Sequence, residues 1–208
     1  MAVLIAIDGG DRMGKATQVA ALTRYLRLHD NNTMPCMRAI SVEMPCEMSY
    51  DAGLTYKLIY AMLKSGAAKR FPTLFQTIQF VNKALFQVFV LRRLLREYDF
   101  VVADRWRLSA LIYGNASGVN RMLNKLYYKL LLPADITIVF CDSRLNNESE
   151  DTYEADTTFQ NNIAHAYRVH AALNFEDHIV VKNTGTIEQV HARIVDALVQ
   201  HGALNTSS

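Results

Sequence analysis

The sequence predicts an α/β domain in which a five-stranded parallel sheet is flanked by helices. Strand-length apolar runs recur five times, with helically spaced segments between them. Those runs are continuous rather than alternating, as strands covered on both faces require. In addition, 208 residues, half of them apolar, suffice for one substantial core, and nothing in the composition suggests two. Residues 1–204 are therefore read as a single domain and Asn205–Ser208 as a tail.

The first strand is read at Val3–Ile7 and leads into a helix over Lys15–His29. A second strand at Met37–Val42 precedes helices over Ala52–Lys64 and Thr73–Glu97. The third, Phe100–Ala103, is followed by Ser109 and Tyr113 at the spacing of one helix face, and then by a helix over Val119–Leu131. Strands at Ile136–Cys141 and His178–Val181 alternate with helices over Thr157–Leu173 and Ile187–Gln200. Parallel neighbours joined in this way need right-handed crossovers. Ligands of such sheets bind beyond the carboxyl ends of the strands, which here carry Asp8, Glu43, Asp104 and Cys141–Asp142.

The charge is nearly balanced, with 22 basic against 20 acidic residues. A general affinity for nucleic acid is thus not implied, although local basic patches remain. Cys36, Cys46 and Cys141 are odd in number and lack metal spacing, which reads as free thiols in a reducing compartment. Apolar stretches of about five to seven residues fall short of the roughly 20 that cross a bilayer, and the N-terminus lacks a signal-peptide pattern. A soluble, cytoplasmic protein with no membrane partner is the expectation.

The most informative segment follows the first strand: Asp8-Gly9-Gly10-Asp11-Arg12-Met13-Gly14-Lys15-Ala16-Thr17. Two glycines spaced as in G-x-x-x-x-G-K let successive N–H groups turn into one concavity at a helix N-terminus, where the dipole also favours anions. Lys15 adds a point charge for the β- and γ-phosphates. The motif's next position wants a hydroxyl for Mg²⁺ but holds Ala16. Thr17 is turned about 100° from that place. Asp104, Asp8 and Thr17 are the metal candidates.

A second constellation, Asp104-Arg105-Trp106, stands directly after the third strand. An aspartate there can orient metal-bound water or an acceptor group, and Arg105 can neutralise a transferring phosphoryl group. Taken together, these segments resemble the thymidylate kinase family of P-loop nucleoside-monophosphate kinases, over nearly the whole chain. The phosphate loop, including Arg12, resembles E-G-x-D-x-x-G-K with the basic residue of one subclass. Asp104-Arg105-Trp106 with Ser109 resembles D-R-Y-x-x-S, while Tyr153-Glu154 with Phe159-Gln160 resembles the Y-E and F-Q that follow the lid. Thr184–His191 resembles the turn and helix beside the adenine ring.

The resemblance implies that Gly9–Thr17 bind the phosphates of ATP, with Asn183 and Gly185 at the adenine end, and that Mg²⁺ accompanies the nucleotide. Lys15, Arg12 and Arg105 would counter transition-state charge. Asp11, Arg105, Ser109, Tyr113 and Tyr153 would contact the acceptor nucleotide. A lid is expected around 142–156, and a homodimer through the Phe-rich helix Phe71–Phe89 is a further possibility.

Departures gather on the acceptor side. Ile78-Gln79-Phe80-Val81-Asn82-Lys83 resembles L-F-x-A-N-R, in which the phenylalanine stacks on thymine and the arginine reaches a base oxygen; Gln79 and Lys83 hold those places. Lysine lacks the planar fork and glutamine stacks poorly, so Phe80, or Phe75 and Phe71, are the remaining ring candidates. Near Met44-Pro45 the family places an arginine on the acceptor phosphate, whereas this chain has Glu43 and Glu47. A carboxylate repels a dianionic phosphate but can position a hydroxyl and take its proton.

The first expectation is phosphoryl transfer from ATP to thymidylate or a close analogue. The alternative is a hydroxyl acceptor, such as the hydroxymethyl group of 5-hydroxymethyluracil in DNA, as in phage kinases that resemble thymidylate kinases. In that case the basic residues Lys57, Lys64, Lys69, Arg70, Arg92, Arg93 and Arg96 could track a phosphate backbone, and the protein would act in the host cytoplasm. A third alternative, motivated by Ala16, is a silent nucleotide-binding protein.

Overall fold

A computed structural model describes residues 2–28, 37–47, 50–141, 156–173 and 178–204. Five strands, β1 (Val3–Gly9), β2 (Ala39–Glu43), β3 (Phe100–Asp104), β4 (Ile136–Phe140) and β5 (His178–Val181), form one sheet in the order β2-β3-β1-β4-β5. Every pairing is parallel. The expected architecture is therefore the observed one, with strand ends shifted by one or two residues.

Alternation along the strands sends successive side chains to opposite faces. Ile5, Ile7, Val102, Ile136 and Ile138 pack beneath Val19, Leu22 and Leu26 of α1 (Lys15–Leu28) and Val190, Ile194 and Leu198 of the C-terminal helix Ile187–Gln200. Leu4, Ala6, Val101 and Ala103 pack against Phe86, Leu91 and Leu94 on the other face. Burying each such side chain contributes roughly 1.5–3 kcal/mol, which is why these strands read as unbroken apolar runs.

Between β2 and β3 lie α2 (Tyr50–Lys64), a short α3 (Ala67–Arg70) that the periodicity did not register, and the helical stretch α4 (Pro72–Phe86), a π segment (Gln87–Leu91) and α5 (Arg92–Glu97). Pro72 starts α4 at its first helical position, where a missing N–H costs nothing. Contrary to the expectation from the individual apolar runs, the helical stretch 72–97 is long and apolar enough to cross a membrane by length and composition. Its buried polar residues tie it to the domain. The Asn82 amide pairs with the Cys46 backbone at 2.9 and 3.0 Å, and Lys83 Nζ donates to the Trp106 carbonyl at 2.8 Å. Phe71, Leu74, Val88 and Phe89 stay exposed on the face where the sequence suggests a dimer contact.

After β3 come α6 (Arg107–Ala116), which carries Ser109 and Tyr113, and α7 (Arg121–Leu130). The latter starts two residues later than expected because Asn120 Oδ1 accepts from the N–H groups of Met122 and Leu123. Then follow α8 (Thr157–Ala172), capped by Asp156, and α9 (Ile187–Gln200), which Thr186 and Gln189 close in a capping box.

Candidate active site

Between β1 and α1 the chain must turn tightly, and two glycines permit it. A Cβ on Gly9 would sit 3.0 Å from the Phe140 backbone carbonyl, so only glycine lets β1 approach β4 this closely. Gly14 has φ 77°, a left-handed backbone that costs glycine nothing, and no atom lies within 4 Å of its Cβ position. The opening N–H groups of α1, which lack intrahelical acceptors, adjoin that space. Gly10 supplies a carbonyl to Lys15 Nζ at 2.6 Å.

Arg12 and Arg105 are the only non-glycine residues with positive φ among the described residues, at 59° and 65°. Such a backbone costs of order 1–3 kcal/mol and collects at functional sites. Both are cations that the sequence singles out for charge stabilisation. Arg105 donates to the Asp11 carboxylate and, at 3.1 Å, to the Tyr113 hydroxyl. Gln160 Nε2 adds a hydrogen bond to Asp11 Oδ2 at 2.5 Å. Burial alone would raise the Asp11 carboxyl, but Arg105 and Lys15, with hydrogen bonds from Tyr113 and Gln160, hold it at about 2. Asp11 is thus a fixed anion that orients Arg105. Burial also raises the Tyr113 hydroxyl, which stays protonated and able to donate.

Lys15 is buried among Asp8, Asp11, Asp104 and Arg105. Burial first, and then Arg105, lower its ammonium to about 8, against the pull of the three carboxylates. Asp8 and Asp104 project to opposite sheet faces, because Asp8 continues the Leu4–Ala6 row whereas Asp104 continues the Phe100–Val102 row. Asp8 Oδ1 accepts from Ser109 Oγ and, at 3.4 Å, from the Trp106 N–H. Ser109 therefore holds Asp8 in place. Asp104, whose carboxyl is raised by burial and by Glu43 and Asp8 against the opposing charges of Lys15 and Arg105, faces α1.

On that side a cleft of about 390 Å³ is lined by Ala16, Val19 and Ala20 of α1, by Ser41, Val42 and Glu43 of β2, and by Pro45, Cys46, Glu47, Tyr56, Tyr60 and Asp104. Ala16 thus meets the cleft where the phosphate-loop motif would place a hydroxyl, while exposed Thr17 does not line it. The residues nonetheless fit a Mg²⁺ ion that arrives with a nucleotide. Asp104 Oδ1 and Asp8 Oδ2 are buried without hydrogen-bond partners among the described residues. A magnesium that keeps waters and phosphate oxygens takes only one or two carboxylates. Among the described residues no group of three His, Cys, Asp or Glu could hold a metal by itself.

The remaining sequence candidates divide. Met13 buries its side chain in the core, and its carbonyl accepts from Asn183 Nδ2 at 3.2 Å, which ties the adenine-side turn to the phosphate loop. Gly185, at φ 107°, leaves room for the Gln189 amide of the capping box. Lys83, lowered to about 8 by burial and Arg105 against the pull of Asp8, points beneath the strand ends at Trp106. Phe80 stacks on Tyr127 with ring centroids 4.3 Å apart, Gln79 is half-buried beside it, and Phe75 belongs to the core. Tyr153, with most of the expected lid, lies outside the described residues. At its far edge, Asp156 pairs with Lys69 at 2.9 Å.

Two positioning residues were not singled out from sequence. Gln160 was read only as part of a motif, although it reaches Asp11 across 149 positions. Asn82, fully buried, clasps Cys46 and donates to Thr55 Oγ1 at 3.0 Å, fixing the wall that carries Glu47. Asn82→Ala is expected to cost about 1–3 kcal/mol, the span for removing partners of buried polar groups. Urea denaturation measures it, and a wild-type midpoint would show that the clasp does not hold the wall.

The fold is an α/β fold with a five-stranded parallel sheet, similar to that of solved thymidylate kinases. Thymidylate kinase from Ehrlichia chaffeensis aligns with TM-score 0.70 and 19% identity, over 95% of this chain and 98% of its own. Thymidylate kinase from Candida albicans aligns with TM-score 0.70 and 21% identity, over 99% and 96%. No family model and no curated protein sequence matches the chain.

Proposed function

We propose that the chain is an ATP-dependent phosphotransferase of the nucleotide-kinase type, acting on a thymidine-like unit. The observation that carries this reading is the buried Lys15, set at the head of a parallel sheet among Asp8, Asp11 and Asp104, with Arg105 locked to Asp11 beside it. Buried charges of this kind contribute little net stability, so their place beside an open glycine turn supports a role in binding phosphate. Thymidylate is the acceptor that the resemblance implies; the carboxylates of the cleft support a hydroxyl acceptor as the second reading.

In the proposed reaction the Gly9–Thr17 turn binds the donor phosphates and Lys15 draws the γ-phosphoryl group into place. Arg105, prevented from swinging by Asp11 and Tyr113, and Arg12 stabilise charge on the equatorial oxygens as they separate from the leaving group. Asp104, on the α1 face beside Ala16, would hold Mg²⁺, which when bound neutralises charge on the β- and γ-phosphates. Positioning and fixed charge do the catalytic work.

A coupled assay of ADP release over a pooled set of deoxynucleosides, deoxynucleotides and DNA tests this reading. Acceptor-dependent ADP formation is the expected result. ATP binding with no acceptor-dependent turnover would instead mean a silent nucleotide-binding protein.

A further inference from the structure

β2 and β3 run parallel with Glu43 directly opposite Asp104. Residues opposite one another in neighbouring strands project from the same face, and the strands are about 4.8 Å apart. The two carboxylates therefore stand side by side along the cleft, Asp104 buried and Glu43 exposed, with Glu47 also lining it. Among the described residues no lysine or arginine lines that cleft. Asp104 is only 7% exposed, lines the cleft, and keeps Oδ1 without a hydrogen-bond partner among the described residues. That atom is open to a donor, or to the Mg²⁺ that would accompany the nucleotide. Tyr56 and Tyr60 also line the cleft, with ring centroids 4.7 Å apart and ring planes tilted by 51°.

A phosphate dianion entering this cleft would meet three carboxylates and no cation among the described lining residues, whereas a hydroxyl would meet acceptors for its proton. The geometry points to an acceptor that presents an uncharged hydroxyl to Glu43, on a unit whose flat ring lies against Tyr56 and Tyr60. This rests on the kinase reading above and names its acceptor chemistry. In the transfer, the hydroxyl proton passes to the Glu43 carboxylate and the acceptor oxygen bonds to the γ-phosphorus of ATP. The bond from that phosphorus to the β,γ-bridging oxygen breaks, and its electron pair leaves on ADP. The products are a phosphate monoester, ADP and a protonated Glu43, which returns its proton to solvent.

Such a hydroxyl could belong to a free nucleoside or to a modified base in a polynucleotide. With γ-labelled ATP, three acceptors separate the cases: 5-hydroxymethyl-2′-deoxyuridine, duplex DNA containing that base, and thymidine monophosphate. Acid-stable ester label in the first or second is expected, with no acid-labile anhydride formed from the third. Glu43→Gln should lower kcat by about 10²–10⁴-fold, the usual loss for a general base, while the acceptor KM stays within a few fold. Anhydride label from the monophosphate with both hydroxyl acceptors inert would overturn the inference and leave the kinase reading standing. Full activity of Glu43→Gln would also overturn it. If ATP binds but no acceptor takes label, both readings fall.

Discussion

Lys15→Ala is expected to lower phosphoryl transfer by at least about 10²–10³-fold, the loss typical of deleting one preorganised charge from a transition-state site. The variant should lose some stability, because Asp8, Asp11 and Asp104 lose a buried counter-charge, but α1 stays anchored through Val19, Leu22 and Leu26 and the protein should still fold. A dependence on pH accompanies this. In the free protein burial and Arg105 bring the Lys15 ammonium down to about 8, so ATP affinity should fall as pH rises through 8. Stability should move the other way. Between 8 and the ordinary 10.5 the unfolded chain still holds a proton that the native state has released, so Lys15 makes stability rise with pH across that window. Lys15→Arg should remove the loss of affinity, since guanidinium keeps its charge. Binding titrations and urea midpoints at several pH values check both signs, and wild-type turnover of a folded Lys15→Ala would remove the phosphate loop from the reaction.

Arg105→Ala is expected to cost on the order of 10³-fold in kcat, the lower end for losing a cationic finger from a phosphoryl-transfer site. It should also destabilise the protein by about 3 kcal/mol, because it strands Asp11, only 6% exposed, without its guanidinium partner. The two losses can be separated. Asp11→Asn alone loosens Arg105 without removing its charge, so its effect on rate should be smaller than that of Arg105→Ala. The double variant should then show a coupling of about 1–3 kcal/mol in stability. Additive effects in that cycle would mean that Asp11 does not hold Arg105 in place.

Much of the donor side was legible because its determinants are local. A phosphate loop is a turn between adjacent elements, so the spacing of Gly9, Gly14 and Lys15 reports its geometry directly. The strands were legible for a related reason: each is buried on both faces, so hydrophobicity alone marks it. Elements whose formation depends on neighbours escaped. α3 is four residues long and has no periodicity to detect, and the polar anchors of the helix at 72–97 look like interruptions until their partners are seen.

The acceptor side was legible as residue types but not as an arrangement. Lys83 could be read as reaching a base oxygen; the packed chain turns it to the Trp106 carbonyl. Ser109, expected at the substrate, has its hydroxyl on Asp8. Phe80, a stacking candidate by spacing, is stacked on Tyr127 from another helix.

The sequence by itself determined the parallel α/β sheet, the phosphate turn and the set of charged residues at the strand ends, because each follows from short-range spacing or from burial. Only the tertiary structure decided which charges meet. Arg105 and Asp11 are 94 positions apart, Gln160 and Asp11 are 149 apart, and Glu43 stands opposite Asp104 across two strands joined by a long helical excursion. Register and side-chain alternation fix those meetings, and both are set by strand pairing, a long-range property that no local pattern encodes.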